Sequence, residues 1–402
     1  MGGLFDLRQS SNERQVRKIA ACGKCGLWQN CHSPRLARSG LGKRNILFVT
    51  DYPTPEDDKQ GVYFQDEAGD FLSDSLKNLG FDLDDASITA AIICSPKGKL
   101  KSGHASFCQP NLNKILEKEK PSVIVTFGDL ALSSVLDGVW EKNIGALSRW
   151  TGYQIPLAQR DAWLCPMEHP RDALLKRESP FGTSSFQLHL SKALRCLFVK
   201  QNALSFDDLK AEVEIVKDTE DAKTILKAFA KEEGYLAFDY ETTGLKPDDE
   251  RQKIVSVSLC LNNRVTVAFK MNEDLKEPLS QVLKNPKLKK IASNLKFEER
   301  WTRAKLGHGV VGWYWDTMLA AHLIDNRPHI TSIKFQAFVL LGVADYSSHV
   351  EEFLKPIGDS DYNRVEEMNE EDLLLYNGLD SLLEFKVMKK QKEIVRGKND
   401  PI

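Results

Sequence analysis

The sequence has no apolar run that approaches the ~18 residues a transmembrane helix needs. Its first residues, MGGLFDLRQSSNERQ, include no apolar stretch of signal-peptide length. Charge of either sign is not in excess, because 55 Lys and Arg residues face 57 Asp and Glu residues, for a net charge of −2. These absences predict a soluble, cytoplasmic protein with no membrane partner. They leave nucleic-acid binding open, since binding depends on local charge.

The length of 402 residues predicts two or three domains. In the first half, the apolar runs RNILFVTD, SITAAIIC and PSVIVTFGD alternate with amphipathic segments, which is typical of a parallel α/β sheet covered on both faces. After the polar stretch KQNALSFDDLKAE, a strand, a helix and a second strand follow, and then a hairpin turning at Asn262 and Asn263. We therefore predict two α/β domains, residues 1–203 and 204–402.

Two acidic residues lie at the end of a predicted strand in the second half of the sequence. Asp239 and Glu241 are two positions apart, so both side chains project from one face of the strand. Two carboxylates there would repel each other unless a cation or a proton intervened. The pair therefore indicates a Mg²⁺ or Mn²⁺ site, with an ordinary polar strand end as the alternative.

Two later segments carry compatible side chains. KKIASNLKFEERW places Asn294, Phe297 and Glu298 around a strand-to-helix junction. YNGLD places Tyr376 four residues before Asp380, on one face of a helix. Taken alone, Tyr376 is also consistent with an aromatic side chain that packs from the helix into the hydrophobic core.

Together, DYETTGL, NLKFE and YNGLD resemble the three motifs of the proofreading exonuclease domain of DNA polymerase I, in the DnaQ-like DEDDy group. The resemblance covers roughly residues 212–392 and implies a ribonuclease H-like fold with a mixed sheet. It implies 3′→5′ hydrolysis with two Mg²⁺ or Mn²⁺ ions about 4 Å apart. Asp239 would bridge the ions, Glu241 and Asp380 would complete one, and Glu298 would hold the other. Tyr376 would orient the attacking water, and Asn294 would contact nucleic acid.

Glu298 departs from this family's pattern, which usually has Asp at that position. Its side chain is one methylene longer, and Mg²⁺ requires near-octahedral geometry, so metal preference or rate is expected to change. Glu299 is the neighbouring alternative, but it would point elsewhere on a helix.

The N-terminal cysteines offer soft metal ligands. Cys22 and Cys25 form a CxxC motif, followed by Cys94 and Cys108, and this set fits a [4Fe–4S] cluster or tetrahedral zinc. Cys31 is an additional candidate that could replace one of them. Between the later cysteines, a loop carries three lysines that could neutralise phosphates: Lys97, Lys99 and Lys101.

The segment VTDYPTPEDDKQGVYFQDEAGDFL and the His-Pro pair of MEHPRDAL resemble the active-site segments of the iron–sulfur uracil-DNA glycosylases. This resemblance covers about residues 15–198 and assigns Cys22, Cys25, Cys94 and Cys108 as cluster ligands. The implied glycosylase-like pocket is lined by Asp51, Pro53, Phe64 and His169.

Several features of that pocket are altered. Thr50 and Thr54 replace glycines of the family motif, and Ala90 stands where the family often has an Asn that reads the uracil edge. Loss of a base reader costs about 1–3 kcal/mol of discrimination. A DNA-binding module with a structural cluster is the favoured interpretation of this half.

The sequence thus predicts a DNA exonuclease for proofreading or end processing that acts on single-stranded 3′ ends. The pairing resembles the N-terminal part of phage-type family A DNA polymerases, with the polymerase as a separate subunit or as a missing part of a longer chain. A phage origin would place the protein in the host cytoplasm. Three alternatives remain: an active uracil-DNA glycosylase with an attached exonuclease, an RNA-trimming exonuclease, and a non-catalytic module that recruits a polymerase.

Overall fold

The computed structural model describes residues 22–399, except for 102, 179–181, 357 and 359. The chain divides into two compact units, Met1–Asn202 and Ala203–Ile402. In the described part of the chain, none of the helices combines the length and the apolar character that crossing a membrane requires.

The first unit is built on a five-stranded sheet in the order β2-β1-β3-β5-β4. Its strands are β1 (Ile46–Thr50), β2 (Ala86–Ala90), β3 (Val123–Phe127), β4 (Ile155–Leu157) and β5 (Ala162–Met167). All neighbouring strands are parallel except the edge pair β4 and β5. The predicted parallel α/β sheet is therefore confirmed, although the strand expected over SITAAIIC ends at Ala90, so Cys94 lies beyond it.

The described helices around this sheet explain why its strands are apolar throughout. They are α1 (Pro55–Gln60), α2 (Glu67–Lys77), α3 (Gly103–Glu119), α4 (Asp129–Leu136), α5 (Pro170–Leu175) and α6 (Gly182–Arg195). Every residue of β1 and β3 is buried, because both faces of the sheet are covered. Phe48, Phe127 and Phe186 pack at the centre of the core.

The second unit has a mixed six-stranded sheet in the order β11-β10-β7-β8-β9-β6. Its strands are β6 (Val213–Val216), β7 (Gly234–Thr242), β8 (Ile254–Leu261), β9 (Val265–Lys270), β10 (Leu288–Ala292) and β11 (Trp313–Asp316). Strands β7, β8 and β9 are antiparallel, whereas β10, β11 and β6 each pair in parallel with a neighbour. The predicted mixed sheet is confirmed. Its turn residues Asn262 and Asn263 both have positive φ, at 52° and 55°.

Among the described helices of this unit, the last one packs against the central strand, β7. They are α7 (Phe206–Ala211), α8 (Thr219–Phe229), α9 (Lys276–Lys284), α10 (Leu295–Leu306), α11 (Thr317–Ile324), α12 (Ile333–Leu341), α13 (Glu351–Leu354) and α14 (Glu370–Asn399). Helix α14 lies against β7 and β8 and also against β6, where Gly378 allows its close approach because a Cβ there would collide with Val213.

Candidate active site

Three carboxylates converge at the end of the central strand of the second unit. Asp239 and Glu241 lie on β7 and Asp380 on α14, and one oxygen of each lies within 4.8 Å of the others. The predicted projection of both β7 side chains from one face therefore holds. Carboxylate oxygens at this spacing are suited to a hard divalent cation.

Asn377 fixes one of these carboxylates, and the sequence analysis missed it. Its side-chain Nδ2 donates to Asp239 Oδ2 at 2.7 Å. Ser256 Oγ donates to Asn377 Oδ1 at 3.0 Å, and Ser258 Oγ donates to the Asn377 carbonyl at 2.7 Å. Asn377 thereby fastens α14 to β8 and orients Asp239. Its position inside the YNGLD motif was the available signal.

Two other missed residues hold Asp380. Lys334 Nζ on α12 forms a partly buried ion pair with Asp380 Oδ2 at 2.8 Å, and the hydroxyl of Tyr346 donates to the other carboxylate oxygen. Lys334 also lies over the ring of Tyr376, with Nζ 4.9 Å from its centroid. A lone lysine within the apolar helix IKFQAFVLL was a signal for Lys334.

Tyr376 is buried on α14 one turn before Asp380, as the spacing predicted. Its ring lies 6.2 Å from that of Tyr346, with an angle of 35° between their planes. Burial, followed by the charge of Asp380, raises the pKa of Tyr376 well above its usual range. The phenol is therefore protonated throughout the neutral range and can donate a hydrogen bond.

Glu298 and Glu299 point in different directions from α10. Glu298 is 1% exposed, and its Oε2 has no hydrogen-bond partner among the described residues. Glu299 instead accepts hydrogen bonds from the Val310 N–H and from Trp313 Nε1, both at 3.0 Å. The predicted separation of the two glutamates is present, and Glu298 is the one whose pKa is raised by the charge of Asp239 in addition to burial.

Asp316 and Asn294 shape the junction that carries Glu298. Asn294 precedes α10 with a left-handed backbone (φ 68°), and its N–H donates to Asp316 Oδ1 at 3.1 Å. The N–H of Leu295 donates to the second Asp316 oxygen. The predicted nucleic-acid contact of Asn294 remains a prediction, since its side chain is half-buried at this turn.

The electrostatics of the carboxylates favour a bound cation. Burial, reinforced by the charge of Asp380, raises the pKa of Asp239 to about 8. Burial and the charge of Asp239 raise the pKa of Glu241 and of Glu298 well above their usual ranges. An unpartnered buried carboxylate oxygen is costly unless a proton or a metal neutralises it. The donor set and the orphaned Glu298 Oε2 thus fit a divalent ion.

In the first unit, Asp51 caps a helix. Its Oδ1 accepts a hydrogen bond from the Ala131 N–H in the first turn of α4 at 2.9 Å. Gly128 makes room for this contact, because a Cβ there would overlap the Asp51 carboxylate. Burial raises the pKa of Asp51 to about 6, with the nearby charge of Asp129 adding to the rise.

His169 is engaged in a similar way. Its Nδ1 accepts from the Arg171 N–H at 3.1 Å and caps α5, while Nε2 lies 3.1 Å from Thr50 Oγ1. Burial, with the charge of Arg171, lowers the pKa of His169 to about 4, so the ring is neutral near pH 7. Thr54, after the buried Pro53, caps α1 in a capping box with Asp57. Both threonines that replace family glycines therefore have structural roles.

Phe64 is the fourth predicted pocket residue. It is 6% exposed and packs edge-on against Phe127 in the core, with ring centroids 5.9 Å apart. Its φ of 60° is left-handed, and Gly69 makes room for its carbonyl. The structure brings Phe64 near His169, with ring centroids 6.3 Å apart.

Arg35 contacts two of the five N-terminal cysteines. Its Nε lies 2.5 Å from Cys22 Sγ, and its backbone N–H donates to Cys94 Sγ at 3.3 Å. A hydrogen bond to Cys94 lowers the pKa of Cys31, whereas burial, reinforced by Cys25 and Cys22, raises that of Cys108 to about 11. The thiols suit a soft metal centre. Among the described residues, no three of these sulfurs lie within 4.8 Å of one another. The sulfurs around one tetrahedral zinc ion would lie ~3.8 Å apart, so the observed spacing is too wide for zinc.

The three lysines of the predicted phosphate-binding loop, Lys97, Lys99 and Lys101, are all exposed. The three remaining cysteines, Cys165, Cys196 and Cys260, are buried.

A mixed sheet with carboxylates on its central strand and on a following helix gives the second unit a group of acids that could hold a divalent metal ion. Comparison with known families makes this specific. Residues 213–394 match the family model described as 3′-5′ exonuclease, and residues 40–195 match that of the uracil DNA glycosylase superfamily. The chain therefore joins a uracil-DNA-glycosylase-like domain to a 3′→5′ exonuclease domain.

Relatives of the first domain are type-4 uracil-DNA glycosylases. The protein from Sulfurisphaera tokodaii is 27% identical over 169 residues, which span 41% of this chain and 76% of that protein. The one from Archaeoglobus fulgidus is 26% identical over 165 residues, spanning 40% and 82%.

Two solved structures are among those with a similar fold. Brucella melitensis NrnC bound to pGG is 16% identical, with a TM-score of 0.35, and the match covers 46% of this chain and 82% of that one. Escherichia coli RNase D, an exoribonuclease involved in structured RNA processing, is 13% identical, with a TM-score of 0.34, covering 46% and 45%.

Proposed function

We propose that this protein is a divalent-metal-dependent exonuclease that removes nucleotides from DNA 3′ ends in proofreading or end processing. The observation that supports this most is the convergence of Asp239, Glu241 and Asp380, with the orphaned Glu298 carboxylate also buried beside Asp239. Bound there, two Mg²⁺ or Mn²⁺ ions would lower the pKa of the attacking water and stabilise charge on the leaving oxygen. A family A polymerase, as a subunit or as a further domain, is the partner that this activity would serve.

The protein's own residues have separate roles in this proposal. Asp239, Glu241 and Asp380 would hold one cation, and Glu298 would help to hold the other. Asn377 keeps Asp239 in place through its 2.7 Å hydrogen bond. Tyr376, protonated at neutral pH, orients the attacking water through its hydroxyl.

DNA is favoured over RNA by the first domain, because its relatives are uracil-DNA glycosylases. In this chain, Asp51 and His169 are engaged in helix caps, and Ala90 replaces a base-reading side chain. These features support a domain that binds DNA without excising uracil. Cys22, Cys25, Cys94 and Cys108 would hold a [4Fe–4S] cluster in it, and Lys97, Lys99 and Lys101 would contact phosphates.

The test uses 5′-labelled single-stranded DNA, RNA of the same sequence and a uracil-containing duplex, each with Mg²⁺ or EDTA. We expect metal-dependent shortening of DNA from the 3′ end, little shortening of RNA, and no abasic sites in EDTA. Preferred RNA shortening would establish the RNA-trimming alternative, and abasic sites would establish uracil excision.

Asp239→Asn should abolish DNA shortening while the fold is kept, because the substitution removes a charge from the site but preserves its shape. The matched control is Asp207→Asn, since Asp207 is 88% exposed and pairs only with Lys210 among the contacts described. Full activity in Asp239→Asn would show that the carboxylates are not the catalytic centre.

A further inference from the structure

Glu384 is a buried carboxylate that lies outside all three sequence motifs. It is placed on α14 four residues after Asp380 and is 1% exposed. Its Oε1 accepts a hydrogen bond from the Ser293 N–H at 2.9 Å, whereas Oε2 is buried with no hydrogen-bond partner in the described part of the chain. A single N–H leaves half of this carboxylate unsatisfied.

Glu298, on α10, is a second carboxylate in the same situation. It is also 1% exposed and also has a buried, unpartnered Oε2. Ser293, which binds Glu384, lies at the junction between β10 and α10 that carries Glu298. Strands β10 and β7 are parallel neighbours with Ile291 opposite Ala237, so Ser293 and Asp239 each follow two residues further along. Glu384, bound to Ser293, therefore lies at the strand edge that carries Asp239.

Two unsatisfied acids in one buried region require an explanation. An orphaned buried polar group costs about 1–3 kcal/mol, and more if it is charged. Either both carboxyls remain protonated, or a cation binds their free oxygens. Oxygen ligands of this kind are those that Mg²⁺ and Mn²⁺ prefer.

The number of acids matches two divalent cations. Asp239, Glu241 and Asp380 converge within 4.8 Å, and Lys334 pairs with Asp380. Glu298 and Glu384 are two further buried acids of this unit. If all five were ionised, five negative charges against one positive charge would leave four, which two divalent cations would neutralise. The ion beside Asp239, Glu241 and Asp380 accounts for half of that demand.

We propose that Glu384 is a fifth metal-ligating carboxylate, which together with Glu298 holds the second divalent cation beside Asp239. The inference rests on the proposed exonuclease function and adds a ligand to its site. It also gives the longer side chain of Glu298 a partner, since both glutamates place a free oxygen in the same buried region.

The test counts Mn²⁺ ions bound to the full chain without nucleic acid, by calorimetry and by the electron paramagnetic resonance of free Mn²⁺. We expect two ions in the wild type. Glu384→Gln and Glu298→Gln should each keep the first ion and weaken the second by at least about tenfold, the loss typical of disturbed metal sites. Glu393→Gln, an exposed change on the same helix, should bind both ions normally.

Unchanged binding of two ions by Glu384→Gln would overturn the proposal, as would a wild type that binds only one. In either case, continued DNA shortening by the wild type would leave the proposed function standing. If the wild type shortened no DNA with any divalent ion, the proposed function would fall, and the Mn²⁺ count would still decide the role of Glu384. Circular dichroism checks folding, and Glu384→Thr replaces Glu384→Gln if the latter does not fold.

Discussion

Lys334 Nζ lies 2.8 Å from Asp380 Oδ2, inside the carboxylate cluster that is suited to a metal. Burial alone would lower the pKa of Lys334, but the charges of Asp380 and Glu241 outweigh it and raise the pKa. The ammonium therefore remains charged and offsets part of the repulsion among the acids. Lys334 thus neutralises part of the negative charge of the cluster, and a bound cation would neutralise more of it.

Lys334→Met should destabilise the metal-free protein by about 2–3 kcal/mol, because removing the partly exposed lysine leaves the buried Asp380 carboxylate uncompensated. Chemical denaturation in EDTA measures this loss. Mn²⁺ should restore a larger share of stability to the variant than to the wild type. Lys284→Met, at an exposed position, is the control. Equal stability of the two variants in EDTA would contradict the assigned role.

The pH dependence of the first domain should contain a contribution from Asp51. Its pKa in the folded protein is about 6, above the value of about 3.9 expected in the unfolded chain. Between these values the folded state binds more protons, so stability falls as pH rises through this window and the full cost is present above pH 6.

Asp51→Asn should therefore stabilise the protein by about 3 kcal/mol at pH 8 and by less than about 1 kcal/mol near pH 4. The Asn side chain can still accept from the Ala131 N–H. Denaturation at both pH values measures the difference, with the exposed Asp74→Asn as the control. A loss of stability at pH 8 would mean that the charged carboxylate is needed to cap α4.

Neighbouring asparagines in the β8–β9 turn should respond oppositely to the same substitution. Asn262 Oδ1 accepts from the Tyr235 N–H at 2.8 Å, and its Nδ2 donates to the Glu233 carbonyl at 3.0 Å. Asn263 Oδ1 is buried without a hydrogen-bond partner in the described residues. Both residues have positive φ, which Gly adopts without strain.

Asn262→Gly should thus cost about 1–2 kcal/mol, while Asn263→Gly should be neutral or stabilising by up to about 0.5 kcal/mol. Each substitution adds the same glycine to the unfolded chain, so the comparison isolates the two hydrogen bonds. Thermal denaturation of both variants is the measurement. Equal losses would show that the turn depends on backbone conformation alone.

Sequence reasoning reached the features that depend on local periodicity. The two-residue spacing of Asp239 and Glu241 and the divergence of Glu298 from Glu299 follow from strand and helix geometry. It missed Asn377 and Lys334, because their roles arise only when α14 and α12 approach β7. For Lys334, the charged residue inside the apolar helical run IKFQAFVLL was the feature that indicated a role.

The same limit applied to the first domain. The motif resemblance located Asp51 and His169, but not their hydrogen bonds to Ala131 and Arg171. Capping contacts of this kind depend on which helix begins beside a strand end. Residue spacing along the chain does not show that placement. From the sequence, only the replaced residues of the glycosylase-like motif indicated that the pocket differs from that of the family.

The final prediction separates the two tyrosines of the exonuclease site. The Tyr346 hydroxyl donates to Asp380, so Tyr346→Phe should cost about 1–2 kcal/mol of stability and alter metal affinity. Tyr376→Phe should instead lower kcat on 5′-labelled DNA by about 10–100-fold, a modest share of the range for positioned proton donors and acceptors. Its KM and Mn²⁺ affinity should be nearly unchanged, because the proposed role concerns the attacking water. Single-turnover rates and Mn²⁺ titrations of both variants provide the measurement. A wild-type rate in Tyr376→Phe would reduce this residue to a packing role beside Lys334.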